Sequence, residues 1–199
     1  VSAGKPLILL DAQGKEYRST EITLSWRKVP LQEPYRLARQ VVGPFASFES
    51  AERVALQLRK FGAQALVAHP NEWEVWLEQG TEVPNDVESI TWEALITSEV
   101  QPVVQNVSGD LLFEGPLYME APDGLIVGKG LYNGPFRLQA DAYGTWTLVE
   151  QVPMKRYLEG VVPHEIGAGA PTTALAVQAV LARTWALANS HRFAVDGYH

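Results

Sequence analysis

Close to the C-terminal end one carboxylate sits in an unusual setting. Glu165 follows the run Val161-Val162-Pro163-His164 and precedes Ile166 and the loop Gly167-Ala168-Gly169-Ala170-Pro171. The helix pattern that comes next is almost wholly apolar, with Gln178 and Arg183 as its only long polar side chains. Polar groups on such a helix lose free energy unless they meet a partner. A carboxylate, a carboxamide and a guanidinium placed this way read as one site. On the residues alone Glu165 reads equally as a solvated loop acid, and Gln178 and Arg183 as structural bolts joining the helix to the strands; an acid/base group with two binding or orienting partners is the sharper alternative. His164 is a candidate contact to the same ligand, although sequence neighbours commonly point apart. A proton donor near neutral pH needs burial or a like charge beside it, and Val161, Val162 and Ile166 are expected to desolvate Glu165. An arginine in direct contact would oppose that, so Arg183 is expected to anchor substrate or to act from a distance.

These groups need a scaffold. Residues Met154–Val162 read as a short helix or turn ending near Gly160, because Pro163 lacks a backbone donor. Glu165 is then expected on a loop at the rim of a cleft, where Gly167 and Gly169 permit a close-fitting backbone. Thr172 or Thr173 caps the last helix. Leu175, Val177, Val180, Leu181, Trp185 and Leu187 surround it, and a helix apolar on every face is expected to be buried. Upstream, Val103–Val107, Leu111–Phe113, Leu117–Ala121, Leu125–Val127, Phe136–Ala140 and Thr145–Leu148 are short strand candidates separated by glycine turns. They suggest a twisted β-platform that feeds the helical motif.

The N-terminal part reads differently. Residues 7–30 suit paired strands, Leu7–Leu10 and Glu21–Trp26, and Pro30 and Pro34 then punctuate the chain. Residues 37–78 follow a β-α-β-β pattern: strand Leu37–Val42, helix Glu49–Phe61, strands Ala63–Ala68 and Trp73–Leu77. Ser47 is the expected N-cap, short of a full capping box with Ser50. Trp73 and Trp76 fall on opposite faces of their strand, so at most one can stack on a ligand. A short helix is expected at Val87–Ile96. The fold class is therefore α+β: a strand-rich platform with a buried C-terminal helix, preceded by a small β-α-β-β unit. Its expected divisions are residues 1–36, 37–100 and 101–199.

The C-terminal residues resemble the SpoIID/LytB family, the stage II sporulation protein D and amidase-enhancer group of bacterial cell-wall proteins. The resemblance rests on Tyr157, Leu158, Gly160, Val161, Val162, Glu165, Ala174, Leu175, Gln178, Ala179, Val180, Ala182, Arg183, Thr184 and Ala186, all in one register. Trp185 stands where the pattern usually has Tyr, Ile166 where Met is common, and Ala176 where Lys is frequent. It extends over about half of the chain, the catalytic pattern only over its last forty or so residues. It implies a lytic transglycosylase acting outside the cytoplasm on peptidoglycan glycan strands already stripped of peptide, leaving 1,6-anhydro-muramoyl ends. Glu165 would be its acid/base and Arg183, Gln178 and His164 its substrate contacts. Most glycosidases need two carboxylates; this reaction manages with one, because the sugar's own C6 hydroxyl replaces water. The rival implied by the same family is a non-enzymatic amidase enhancer that stimulates a partner wall amidase. The family pattern runs on past Gly197-Tyr198 into a segment with a cysteine and a Gln-x-Tyr. The chain is thus expected to be a truncated piece, which places its activity in doubt. More weakly, Gly43-Pro44-Phe45, Ser50-Ala51 and Leu58–Gly62 resemble the front half of a SPOR domain, which implies a second rival, a module that only binds peptide-free glycan.

Composition narrows the partners. A formal charge of −7 and a pI near 5.1 argue against nucleic acid. No apolar run approaches the length of a membrane span, and no charged-then-apolar leader opens the chain, so an export signal is absent from it. With no cysteine there is neither a disulfide nor thiolate chemistry. His69, His191 and His199 lack metal-ligand spacing, so no metal and no cofactor is expected.

Overall fold

The computed structural model describes residues 2–106, 109–113 and 115–198. Val107, which ends one expected strand, and His199 lie outside them. The chain divides into two compact units, one of residues 1–27 and 100–189, the other of residues 28–99 and 190–199.

The first unit is built on an antiparallel sheet. Its strands are β1 (Ser2–Leu10), β2 (Glu16–Glu21), β8 (Leu117–Glu120), β9 (Leu125–Val127), β10 (Gly130–Tyr132), β11 (Phe136–Ala140) and β12 (Trp146–Glu150). Their order is β10-β9-β1-β8-β11-β12, with β2 on β1. Thus the N-terminal hairpin does not stand alone. Leu9 lies opposite Met119 and Phe136 opposite the same Met119, so β1 and β11 flank β8. The period of two puts Leu7, Leu9, Leu117, Met119, Phe136 and Leu138 on one face, all buried together with Ile22, Val104 and Leu125. Each such leucine, removed from water, contributes about 1.5–3 kcal/mol.

The second unit holds the strand–helix–strand–strand run. Strand β3 (Thr23–Phe45) leads to helix α1 (Phe48–Lys60), then β4 (Leu66–Ala68) and β5 (Trp73–Glu78). β6 (Ile90–Asn106) lies on the other side of β3, and β7 (Gly109–Leu112) follows it at the first unit's end of β6. Helix α1 buries Phe48, Ala51, Ala55 and Leu58 against Val42, Val67, Trp73, Val75 and Leu77. Its N-terminus closes better than expected. Ser47 Oγ accepts from Ser50 N at 3.2 Å while Ser50 Oγ accepts from Ser47 N at 3.2 Å, a reciprocal box made by serine in place of the usual Glu. Ser47→Ala is expected to cost about 1 kcal/mol, read as a lower urea midpoint for this unit.

Three expectations are corrected here. Residues 87–96 form no helix; Ile90, Thr91, Trp92 and Ile96 are β-formers and enter β6 beside β3. Pro30 and Pro34 do not end a strand, for β3 runs through both. They share parity, so their missing donors face one edge, and the pairs with β5 begin only at Arg39. The third concerns the C-terminal helix. α2 (Met154–Ile166) and α3 (Thr172–Ala188) pair through a small cluster of their own: Leu158, Val162 and Ala182, with Met154, Tyr157, Val161, Leu175 and Ala179 around them. On α3 only Ala182 is buried, while Val177, Val180, Leu181, Trp185 and Leu187 are each more than half exposed. One partner helix covers one stripe, so apolarity all round does not bring burial all round.

Candidate functional site

Glu165 sits on a helix, not on a loop. α2 continues past Gly160 and Pro163 to Ile166, and Gly167 ends it with φ 86° and its N–H donated to Pro163 O at 2.9 Å. A proline inside a helix removes one bond and costs about 3 kcal/mol; packing of Leu158 and Val162 on α3 offsets that. The consequence is a defined direction for the acid. Leu158, Val162 and Glu165 stand at i, i+4 and i+7, so the carboxylate continues the stripe that faces α3.

On α3 the same logic applies to Leu175, Gln178 and Ala182. Gln178 Nε2 donates to Glu165 Oε2 at 2.6 Å. The helix seam is thus apolar along most of its length and polar at the end nearest the loop. Beside this pair Ile166, Ala170, Thr173, Ala174, Val177 and Gln178 line a shallow, open groove of about 580 Å³. Its floor is mostly apolar, with the amide of Gln178 at its edge.

The remaining expected residues separate. Arg183 is exposed, and among the described residues it has no ion pair with Glu165, whose hydrogen-bond partner is Gln178. It follows Gln178 by five positions, which on a helix is about 140° round and about 7.5 Å along the axis. His164 is exposed one position before Glu165 and so points elsewhere on α2. The expected desolvation of Glu165 is corrected as well. Val162 is buried and Val161 half-buried in the seam, Ile166 is 39% exposed, and the carboxylate itself is open to solvent. Both valines are engaged in the cluster with α3 and do not cover the acid. Among the described residues no cluster of three or more His, Asp or Glu is placed to hold a metal ion. No described helix is long and apolar enough to cross a membrane.

Sequence reasoning missed a second surface, in the other unit. The Arg39 guanidinium lies 3.7 Å from the ring centre of Trp76 and 4.7 Å from that of Trp92. Trp76 Nε1 donates to Glu74 at 2.7 Å, and Leu66, opposite Trp76 on β4, is exposed. Burial holds the Arg39 guanidinium below its ordinary pKa, partly offset by Glu74. Trp73 turns to the other face and packs under α1, as the parity of the strand requires. The only sequence signal for this stack was that parity, since β6 was misread.

Residues 142–199 match the family model SpoIID, described as Stage II sporulation protein. The matched stretch contains β12, α2, α3 and the C-terminal tail, and so both Glu165 and Gln178. It spans less than a third of the chain, shorter than the half over which the resemblance was expected. The match makes this segment similar to a cell-wall-related sporulation family. No curated protein and no solved structure matches the chain.

Proposed function

We propose that the chain, whose residues 142–199 match the SpoIID family model, cleaves bacterial peptidoglycan glycan strands as a lytic transglycosylase outside the cytoplasm. The observation that carries the proposal is the 2.6 Å hydrogen bond from Gln178 to Glu165 at the lip of the groove. Gln178 engages Oε2 and leaves Oε1 free to hold the transferable proton. In the reaction that proton passes to the glycosidic oxygen as its bond to C1 of the muramic acid breaks. The C6 hydroxyl of the same sugar closes on C1, and the carboxylate takes the hydroxyl proton, so the acid is regenerated without water. Because Glu165 is open in the free chain, in this reading the bound glycan itself covers it and excludes water. Arg183, on another face of α3, would reach acceptors further along the strand.

The test is incubation with peptide-free glycan strands and mass spectrometry of the products. Fragments ending in 1,6-anhydro rings support the reading; intact strands or fragments with reducing ends overturn it.

A second reading, retention on glycan to assist a wall amidase or simply to bind, is favoured by the Trp76–Arg39–Trp92 stack. Aromatic faces with a fixed cation suit the flat apolar faces and amide groups of amino sugars. Arg39→Ala is expected to lower glycan retention about tenfold in a sedimentation assay while Glu165→Gln leaves it unchanged. Equal retention by Arg39→Ala and the wild type sinks this reading.

A further inference from the structure

The helices that carry Glu165 and Gln178 have a cluster of their own, to which no strand residue among the described residues belongs. Their tie to the platform is local. The linker Gln151-Val152-Pro153 leaves β12 with Gln151 N donating to Pro135 O at 2.8 Å. One turn later Arg156 Nη2 donates to Glu150 Oε1 at 2.7 Å. That same oxygen accepts from the backbone N–H groups of Asn133 and Gly134, both at 3.0 Å. Glu150 closes the β11–β12 ladder opposite Phe136, so its position is set by the sheet. Its side chain and that of Arg156 are 21% and 33% exposed, which favours a stronger pair than a surface one.

We propose that Glu150 and Arg156 form a clamp that fixes the angle of α2 on the β-platform, and that Arg156 is a positioning residue for Glu165. The inference rests on the reading of Glu165 as the acid. Nine helical positions separate Arg156 from Glu165, about 13 Å along the axis. At that radius a tilt of about 10° moves the carboxylate about 2 Å, and a misplacement of about 1 Å is enough to cost about 10²-fold in rate. A guanidinium is suited to the task, because its charge persists across the whole useful pH range and its donors are planar and fixed. The acceptor oxygen is itself held by two backbone donors, so the clamp has a rigid side and a moving side.

The test exploits the absence of cysteine from the chain. Paired spin labels on Glu159→Cys in α2 and Glu120→Cys in β8, both exposed positions, report the angle of the helix. A narrow distance distribution is expected with Arg156 present, a broad one with Arg156→Met, and a narrow one again with Arg156→Lys. Glu150→Gln, which keeps an acceptor for Asn133 and Gly134 but loses the charge, is expected to broaden it too. In parallel, Arg156→Met is expected to lower kcat for release of anhydro-ended fragments at least about tenfold with KM unchanged, and Arg156→Lys to restore most of it. An unchanged distance distribution, or a broad one with unchanged kcat, overturns the clamp. If the wild-type chain releases no anhydro-ended fragments, the transglycosylase reading fails, and the label distances still decide whether the clamp exists.

Discussion

Glu165→Gln abolishes release of anhydro-ended fragments and leaves glycan binding intact: that is the expected result with the largest effect. The substitution replaces one oxygen by an amide and removes the transferable proton. It keeps the length of the side chain and an oxygen to accept from Gln178, so the seam between α2 and α3 is preserved. General acid–base groups contribute about 10²–10⁴-fold, and here one group serves both halves of the reaction, so the upper end of that range is expected. Turnover on peptide-free strands, quantified by mass spectrometry, checks it. A variant that still cleaves at more than about a tenth of the wild-type rate removes Glu165 from the role. Gln178→Leu is the companion variant. It fits the apolar seam, so its effect reports the loss of orientation and not of packing.

Trp73→Ala is expected to give the largest loss of stability. The indole is 8% exposed under α1, with Phe48 edge-on at 5.4 Å and the His69 ring at 4.4 Å. From the C-terminal tail Phe193 packs at 5.8 Å and the Arg192 guanidinium lies 5.0 Å from the ring. Removing a large buried aromatic costs about 3–5 kcal/mol. Here it also takes from residues 190–198 the ring against which Phe193 and Arg192 lie, leaving the contacts of His191 with Phe48 and Glu52 and of Arg192 with Glu49. A lower denaturant midpoint for the second unit should therefore come with faster amide exchange across 190–198. Protection of those amides in the variant equal to that in the wild type would show that the tail has another anchor. The tail belongs to the SpoIID-matched stretch and yet groups with residues 28–99, packing on their core through Phe193. Separating a SpoIID piece from the N-terminal unit is accordingly expected to take Trp73 away from Phe193, which keeps its stacking on Tyr198.

Local features were legible wherever the physics is local. Ser47 as the N-cap, the face of α1 made of Ala51, Ala55 and Leu58, and the alternation in β5 and β11 each depend on residues within a turn or two. Errors came where a distant partner decides. Ile90–Ile96 carries apolar spacing that suits either period, and the presence of β3 alongside settled it as strand. Pro163 stops an isolated helix, but the contacts of Leu158 and Val162 with α3 carry α2 across it. The apolar surround of α3 implied burial, yet periodicity reports what a face is made of and not what covers it.

For the site the division is similar. Side-chain chemistry marked Glu165, Gln178 and Arg183 as polar groups in an apolar setting that need partners, with the role of Glu165 supplied by the family resemblance. It also established the α+β class, through the spacing of glycine turns and apolar runs. Tertiary structure alone decided that Glu165 and Gln178 meet at 2.6 Å, that Arg183 does not join them, and that Arg156 reaches back to Glu150. It likewise decided that the tail folds against Trp73. The physical reason is one of range. Capping, charge and periodicity are properties of a few neighbouring residues, whereas the angle at which one element meets another is the sum of many small contacts between residues far apart in the chain.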